Sequence, residues 1–131
     1  MGSRDEIEKL TAKFAKAVTE KDVGALEGFY EEGARFLPPG APMAVGLAAI
    51  REAQQHMIEG GVQGLELEAV DVIEAGDFVI EIGRTKVTVQ PPGAPSRNEA
   101  GKSVVVWHRG KDGSFKIVVD ILNSDRRPGP G

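Results

Sequence analysis

The sequence has no cysteine, which excludes a disulfide framework and any thiolate metal site. It also lacks a basic excess. Lys and Arg number 16 against 20 Asp and Glu, a formal net charge of -4, so nucleic acid is not an expected partner. No apolar run approaches the roughly 20 residues needed to cross a bilayer. Stretches such as Val104 to Trp107 are far too short, and no membrane contact is expected. The segment Met1 to Glu8 is polar and charged and does not read as a signal peptide, which makes the cytoplasm the expected location. The phosphate-cradling glycine loop, the dinucleotide fingerprint and a serine elbow are all missing. His56 and His108 are far apart in sequence, each expected to point away from the other inward-facing groups, so neither a metal nor a cofactor is expected. Aromatic residues make up only 5% of the chain, with a single tryptophan and a single tyrosine.

What the chain does have is enough apolar content, 40% of 131 residues, for one core. Residues 1–125 read as one domain. Residues 126–131, rich in proline and glycine, read as a frayed tail. Ser3 with Glu6 has the form of a capping box, and Ile7, Leu10, Phe14, Ala17 and Val18 follow the helical period behind it, predicting a helix from Arg4 to Glu20. Asp22 is placed to cap a second helix whose inner face would carry Leu26, Phe29 and Tyr30, with Gly33 ending it. A third helix is predicted from Leu47 to the Gly60-Gly61 pair, with Ile50, Ala53, Gln54 and Met57 on its inward stripe.

A short strand is expected at Ala34 to Leu37, followed by a proline-rich loop. Longer antiparallel strands are expected at Leu65 to Glu74, Phe78 to Gln90, Lys102 to Arg109 and Phe115 to Asn123. Helices followed by one long sheet imply a segregated α+β architecture. Both faces of the last strand are apolar, so a partner subunit is expected to cover the face the helices leave open, forming a homodimer.

Several stretches together carry a family resemblance. They are Phe29 to Ala34 leading into Leu37-Pro38-Pro39-Gly40, then Ala49-Ile50-Arg51, then Gly101-Lys102 through Val106-Trp107, and finally Asp112 to Ile117 with Asp120 to Asp125. In order and spacing they resemble the ketosteroid-isomerase-like branch of the nuclear-transport-factor-2-like superfamily, close to SnoaL-like and DUF4440 proteins. The resemblance implies a cone, with three helices packed on a curved antiparallel sheet around a pocket. It does not imply one reaction, because the fold hosts isomerases, cyclases, dehydratases and binding domains. Authentic ketosteroid isomerisation is disfavoured. Aligned residue by residue, Phe14 stands at that enzyme's tyrosine, Val105 at its oxyanion aspartic acid and Leu37 or Pro38 at its base, and none of these can do the chemistry.

Asp120 is the leading candidate for chemistry, because it interrupts an apolar strand and shares parity with Val118 and Leu122, whose counterparts in the resembled fold face the cavity. Burial there would raise its pKa and make it a general base; the bland alternative is a carboxylate that accepts a hydrogen bond and orders the core. Glu81 alternates against Arg84 on its strand, and whichever faces inward joins the pocket; the resemblance favours the glutamate, because the resembled family often has one there. Trp107, Ser103 and Val105 share parity and are expected to line the pocket, with the Trp107 indole donating to Asp120. Tyr30, Gln54, Met57, Phe14 and Asn123 complete the expected ligand contacts. The reading is a pocket for a small hydrophobic ligand, with cofactor-free acid–base catalysis by Asp120 and Glu81. The alternatives are a non-catalytic binding or dimerisation module, or an engineered scaffold on the same fold.

Overall fold

The computed structural model describes residues 3–127. Helix α1 spans Arg4–Thr19 and α2 spans Val23–Glu27. Strands β1 (Tyr30–Leu37) and β2 (Ala44–Val45) follow, then α3 (Leu47–Glu59). Four long strands complete the fold: β3 (Val62–Ala75), β4 (Phe78–Val89), β5 (Arg97–Arg109) and β6 (Phe115–Ser124). They form one six-stranded sheet in the order β2-β1-β6-β5-β4-β3. Of the tail expected at 126–131, residues 128–131 lie outside the described residues. Arg126 lies 3.5 Å from the Glu99 carboxylate.

Helices pack on one face of this curved sheet, as expected, but two local readings change. The second helix stops at Glu27, so Tyr30 opens a strand instead of closing a helix. The 26–29–30 spacing imitates a helical stripe, yet the Phe29 carbonyl accepts a hydrogen bond from the Ile117 backbone N–H, which draws the chain onto β6. Gly33, with φ at 77°, does not end a helix. It falls where the β1–β6 register shifts, between the pairs Tyr30–Ile117 and Arg35–Val119, and its positive φ absorbs that irregularity.

The sheet is also mixed and not purely antiparallel, because β1 runs parallel to β6. The reason is topological. The α3 segment and the long β3–β4–β5 excursion intervene between the two, which gives the chain room to return in the same direction. Ser3 precedes α1 without a side-chain cap bond, and its hydroxyl donates instead to Glu74 at 2.7 Å, tying the helix start to β3.

The main core gathers Ile7 from α1, Tyr30, Ala34 and Phe36 from β1, Ile50 from α3 and Val79, Trp107, Phe115 and Ile117 from the sheet. Ile7, Leu26, Ile50, Ile117 and Trp107 are the largest side chains fully withdrawn from water. Each contributes about 1.5–3 kcal/mol by burial. The core fills one end of the fold and leaves a hollow beside it.

Candidate functional site

The hollow lies between the inner face of the sheet and helices α1 and α3, lined by residues from Thr11 to Leu122. The space in which the centre of a water molecule can move is about 70 Å³. One water needs roughly 10–15 Å³ on this measure, so there is room for a small organic molecule. The walls are overwhelmingly apolar, with Phe14 and Val18 on α1, Met57 and Ile58 on α3, and Leu65, Leu67, Val87, Val105 and Leu122 on the sheet.

Strand register decides which polar groups enter. Val105 pairs with Glu81 on one side and Asp120 on the other, so the two carboxylates flank it on one face of adjacent strands. Both are buried, each about 4% exposed. Arg84 lies exposed and pairs with Glu68 at 3.4 Å, which places Glu81 inside.

Each carboxylate has its own set of donors. The Tyr30 hydroxyl donates to Asp120 Oδ2 at 2.6 Å, and Gln54 Nε2 donates to that tyrosine oxygen at 3.0 Å. Glu81 accepts from the Thr11 hydroxyl at 2.8 Å and from the Trp107 indole N–H at 3.1 Å. The indole therefore serves Glu81 and not Asp120, as its strand neighbour Val79 sits two residues from Glu81.

Burial is the main cause of the electrostatics. It raises the Asp120 pKa to about 6, with the Tyr30 hydrogen bond pulling down and the Glu81 charge pushing up. Glu81 is raised in the same way by burial, opposed by its bonds from Trp107 and Thr11. Burial, followed by the Asp120 charge, holds the Tyr30 phenol well above its usual range, so the phenol stays protonated.

The other sequence candidates divide. Phe14, Gln54, Met57, Ser103, Val105, Trp107 and Leu122 line the hollow together with the two carboxylates. Tyr30 is not in its wall but stands behind Asp120. Asn123 is exposed and away from the cavity.

Val118 is also outside the wall, for a specific reason. The β5–β6 register shifts between the pairs Val106–Val119 and Trp107–Ile117, leaving Val118 as the extra residue. Ile117 thus takes the inward place that strict alternation assigns to Val118. Thr11 was missed by the sequence reading, although it lies four residues after Ile7 and three before Phe14, on the same helical stripe. Of the histidines, His56 is exposed and His108 meets Glu31 at 2.6 Å while stacking on Phe78, away from the cavity. Among the described residues, no group of three His, Cys, Asp or Glu side chains is placed to hold a metal ion, and no helix is long and apolar enough to cross a membrane.

Comparison with known proteins agrees with this architecture. A family model described as the SnoaL-like domain matches residues 11–119. The structure is similar to a ketosteroid isomerase-like protein from Erwinia carotovora atroseptica, with TM-score 0.82 and 17% identity, covering 91% of this chain and 94% of that one. It is also similar to a nuclear transport factor 2-like superfamily protein from Salmonella enterica serovar Typhimurium, with TM-score 0.80 and 14% identity over 97% and 94% of the two chains. ActVI-ORFA from Streptomyces coelicolor aligns with TM-score 0.80 and 16% identity, covering 95% of this chain and 98% of its own. At these identities the likeness is one of fold. No curated protein matches the chain by sequence.

Proposed function

We propose, from the premise that this chain belongs to the SnoaL-like domain family, that its cavity binds a small, mostly apolar molecule and that Asp120 acts on it as a cofactor-free general base. The observation that carries this reading is a carboxylate in the wall of an apolar hollow, 4% exposed and with its pKa raised to about 6. A base of that strength is ionised at neutral pH yet accepts a proton more readily than a surface carboxylate. The carbon next to a carbonyl group is the fitting proton source, and isomerisation, cyclisation and dehydration all begin there.

The Tyr30 phenol fixes Asp120 through Oδ2, leaving Oδ1 as the oxygen to receive the proton. Glu81, also raised in pKa, sits across Val105 with two donors holding its orientation. It serves as the second acid–base group, and to return a proton at another position of the ligand it first takes one up from solvent or from Asp120. Phe14 and Val105 add shape and no polarity, so the developing oxyanion of a ketosteroid isomerase reaction would lack the donors that reaction uses.

The test begins with binding. Trp107 is the sole tryptophan and lines the cavity, so its fluorescence reports occupancy directly. A panel of apolar ketones and aldehydes should change that emission saturably, and ligands found this way should exchange their α-hydrogens for deuterium in the presence of the protein. Binding with no exchange, and no difference between wild type and Asp120→Asn, would sink catalysis by Asp120.

A second reading has its own support. Asp120 is hydrogen-bonded by Tyr30, as an ordering group in a non-catalytic binding or association module would be. The outer sheet face supports association, because Ile80, Val106 and Val119 form one apolar row and Ile82, Val104 and Ile121 another. We infer a homodimer through that face, which is compatible with either reading of the cavity.

A further inference from the structure

Gln54 lines the cavity from α3, is about 5% exposed, and has only half of its amide satisfied. Its Nε2 donates to Tyr30, while Oε1 is buried without a partner among the described residues. Buried acceptors without partners are uncommon, and a ligand is one way to complete them.

The orientation of this amide follows from proton counting. The tyrosine hydroxyl has one proton. An ionised carboxylate only accepts, so the proton must point at Asp120, 2.6 Å away. The tyrosine oxygen can then only accept from Gln54, which must offer N–H and turn its carbonyl oxygen away. The relay from Asp120 through Tyr30 thus leaves Oε1 as the free hydrogen-bond acceptor of a side chain in the cavity wall.

We propose that Gln54 determines specificity in this cavity, selecting apolar ligands that carry an O–H or N–H donor, and that it does so because Asp120 orients it through Tyr30. This rests on the reading of the cavity as a binding site for small apolar molecules. Protonated Asp120 would reverse the relay. The acid could donate to Tyr30, the tyrosine to Gln54 Oε1, and the amide would turn its N–H groups to the cavity. The titratable groups acting on Asp120 are Tyr30 and Glu81, and Glu68 is the remaining ionisable group in the wall. Tyr30 stays protonated through this range, so the relay turns on the carboxylates.

Three probes of nearly one shape separate the possibilities: para-propylphenol, para-propylanisole and propylbenzene, each titrated into the wild-type protein by calorimetry. At about pH 8, well above the ordinary carboxylate range, the phenol should bind roughly tenfold more tightly than the anisole, the value of one hydrogen bond. Gln54→Met keeps the length of the side chain and removes both amide groups. It should bring phenol and anisole to equal affinity.

If that variant does not fold, the wild type supplies the answer, because the phenol preference should shrink as pH falls through about 6. Equal phenol and anisole affinity in the wild type overturns the proposal. So does a folded Gln54→Met that keeps the preference, or a preference that does not change with pH. If propylbenzene binds and only the preference is missing, the cavity reading stands and this inference alone fails. If none of the three binds, both fail.

Discussion

As the proposed base, Asp120 is under two opposed demands, since the ionised form that can accept a proton is also the form its burial disfavours. Its pKa is raised from 3.8 to about 6 in the folded protein, so between those values the native state holds more protons than the unfolded chain. Stability therefore falls as pH rises through that window and is level above it. At neutral pH the cost is roughly 3 kcal/mol. Replacing Asp120 by Asn keeps the shape and removes the charge, so Tm at about pH 7 should equal or exceed that of the wild type, and the gap should close near pH 4. Catalysis on a responsive ketone should meanwhile drop by about 10²–10⁴-fold. A variant that loses stability at neutral pH without that drop would make Asp120 a structural group. Tyr30→Phe removes the hydrogen bond that lowers the Asp120 pKa, so carbon-detected NMR titration of the carboxyl should show a midpoint above that of the wild type. An unchanged midpoint would contradict the relay geometry.

At the scale of elements, the site depends on close strand approach and on one irregularity. A Cβ at Gly101 would run into the Asn123 carbonyl oxygen and Thr85 Oγ1, so β5 and β6 meet there only because the residue is glycine. Gly101→Ala should destabilise the protein by about 1–3 kcal/mol in urea unfolding, as overpacked sites do. A neutral result would mean that β6 yields freely at its end. The bulge at Val118 works in the other direction. It allows Ile117 to stay in the core while Asp120 and Leu122 face the hollow, a combination that an unbroken alternation does not permit.

At the scale of the molecule, and among the described residues, the helices cover the inner face of the sheet and leave the outer one bare. Ile73, Phe78 and Ile82 are 44%, 42% and 37% exposed, next to the half-buried apolar rows of β5 and β6. Apolar sheet faces of this kind are usually covered by another surface. Sedimentation equilibrium at micromolar concentration should give the mass of a dimer, and Ile82→Asp should give that of a monomer without altering Trp107 emission, since Ile82 faces away from the cavity. A monomeric wild type would remove the homodimer proposal.

Because local spacing and glycine or proline placement act over a few residues, the helical period and the turn residues by themselves determined α1, α3 and the four long strands, except that β5 starts at Arg97 and not at Lys102. Strand alternation also singled out Asp120, as a carboxylate is conspicuous in an apolar strand, but left Glu81 and Arg84 as alternatives between which the family resemblance favoured the glutamate. What only the tertiary structure decided were relations between distant segments: that Tyr30 begins a strand parallel to β6, that a bulge removes Val118 from the wall, and that the indole holds Glu81 instead of Asp120. Register and bulges are set by pairing across the sheet, and no periodicity within a single strand encodes its partner's offset.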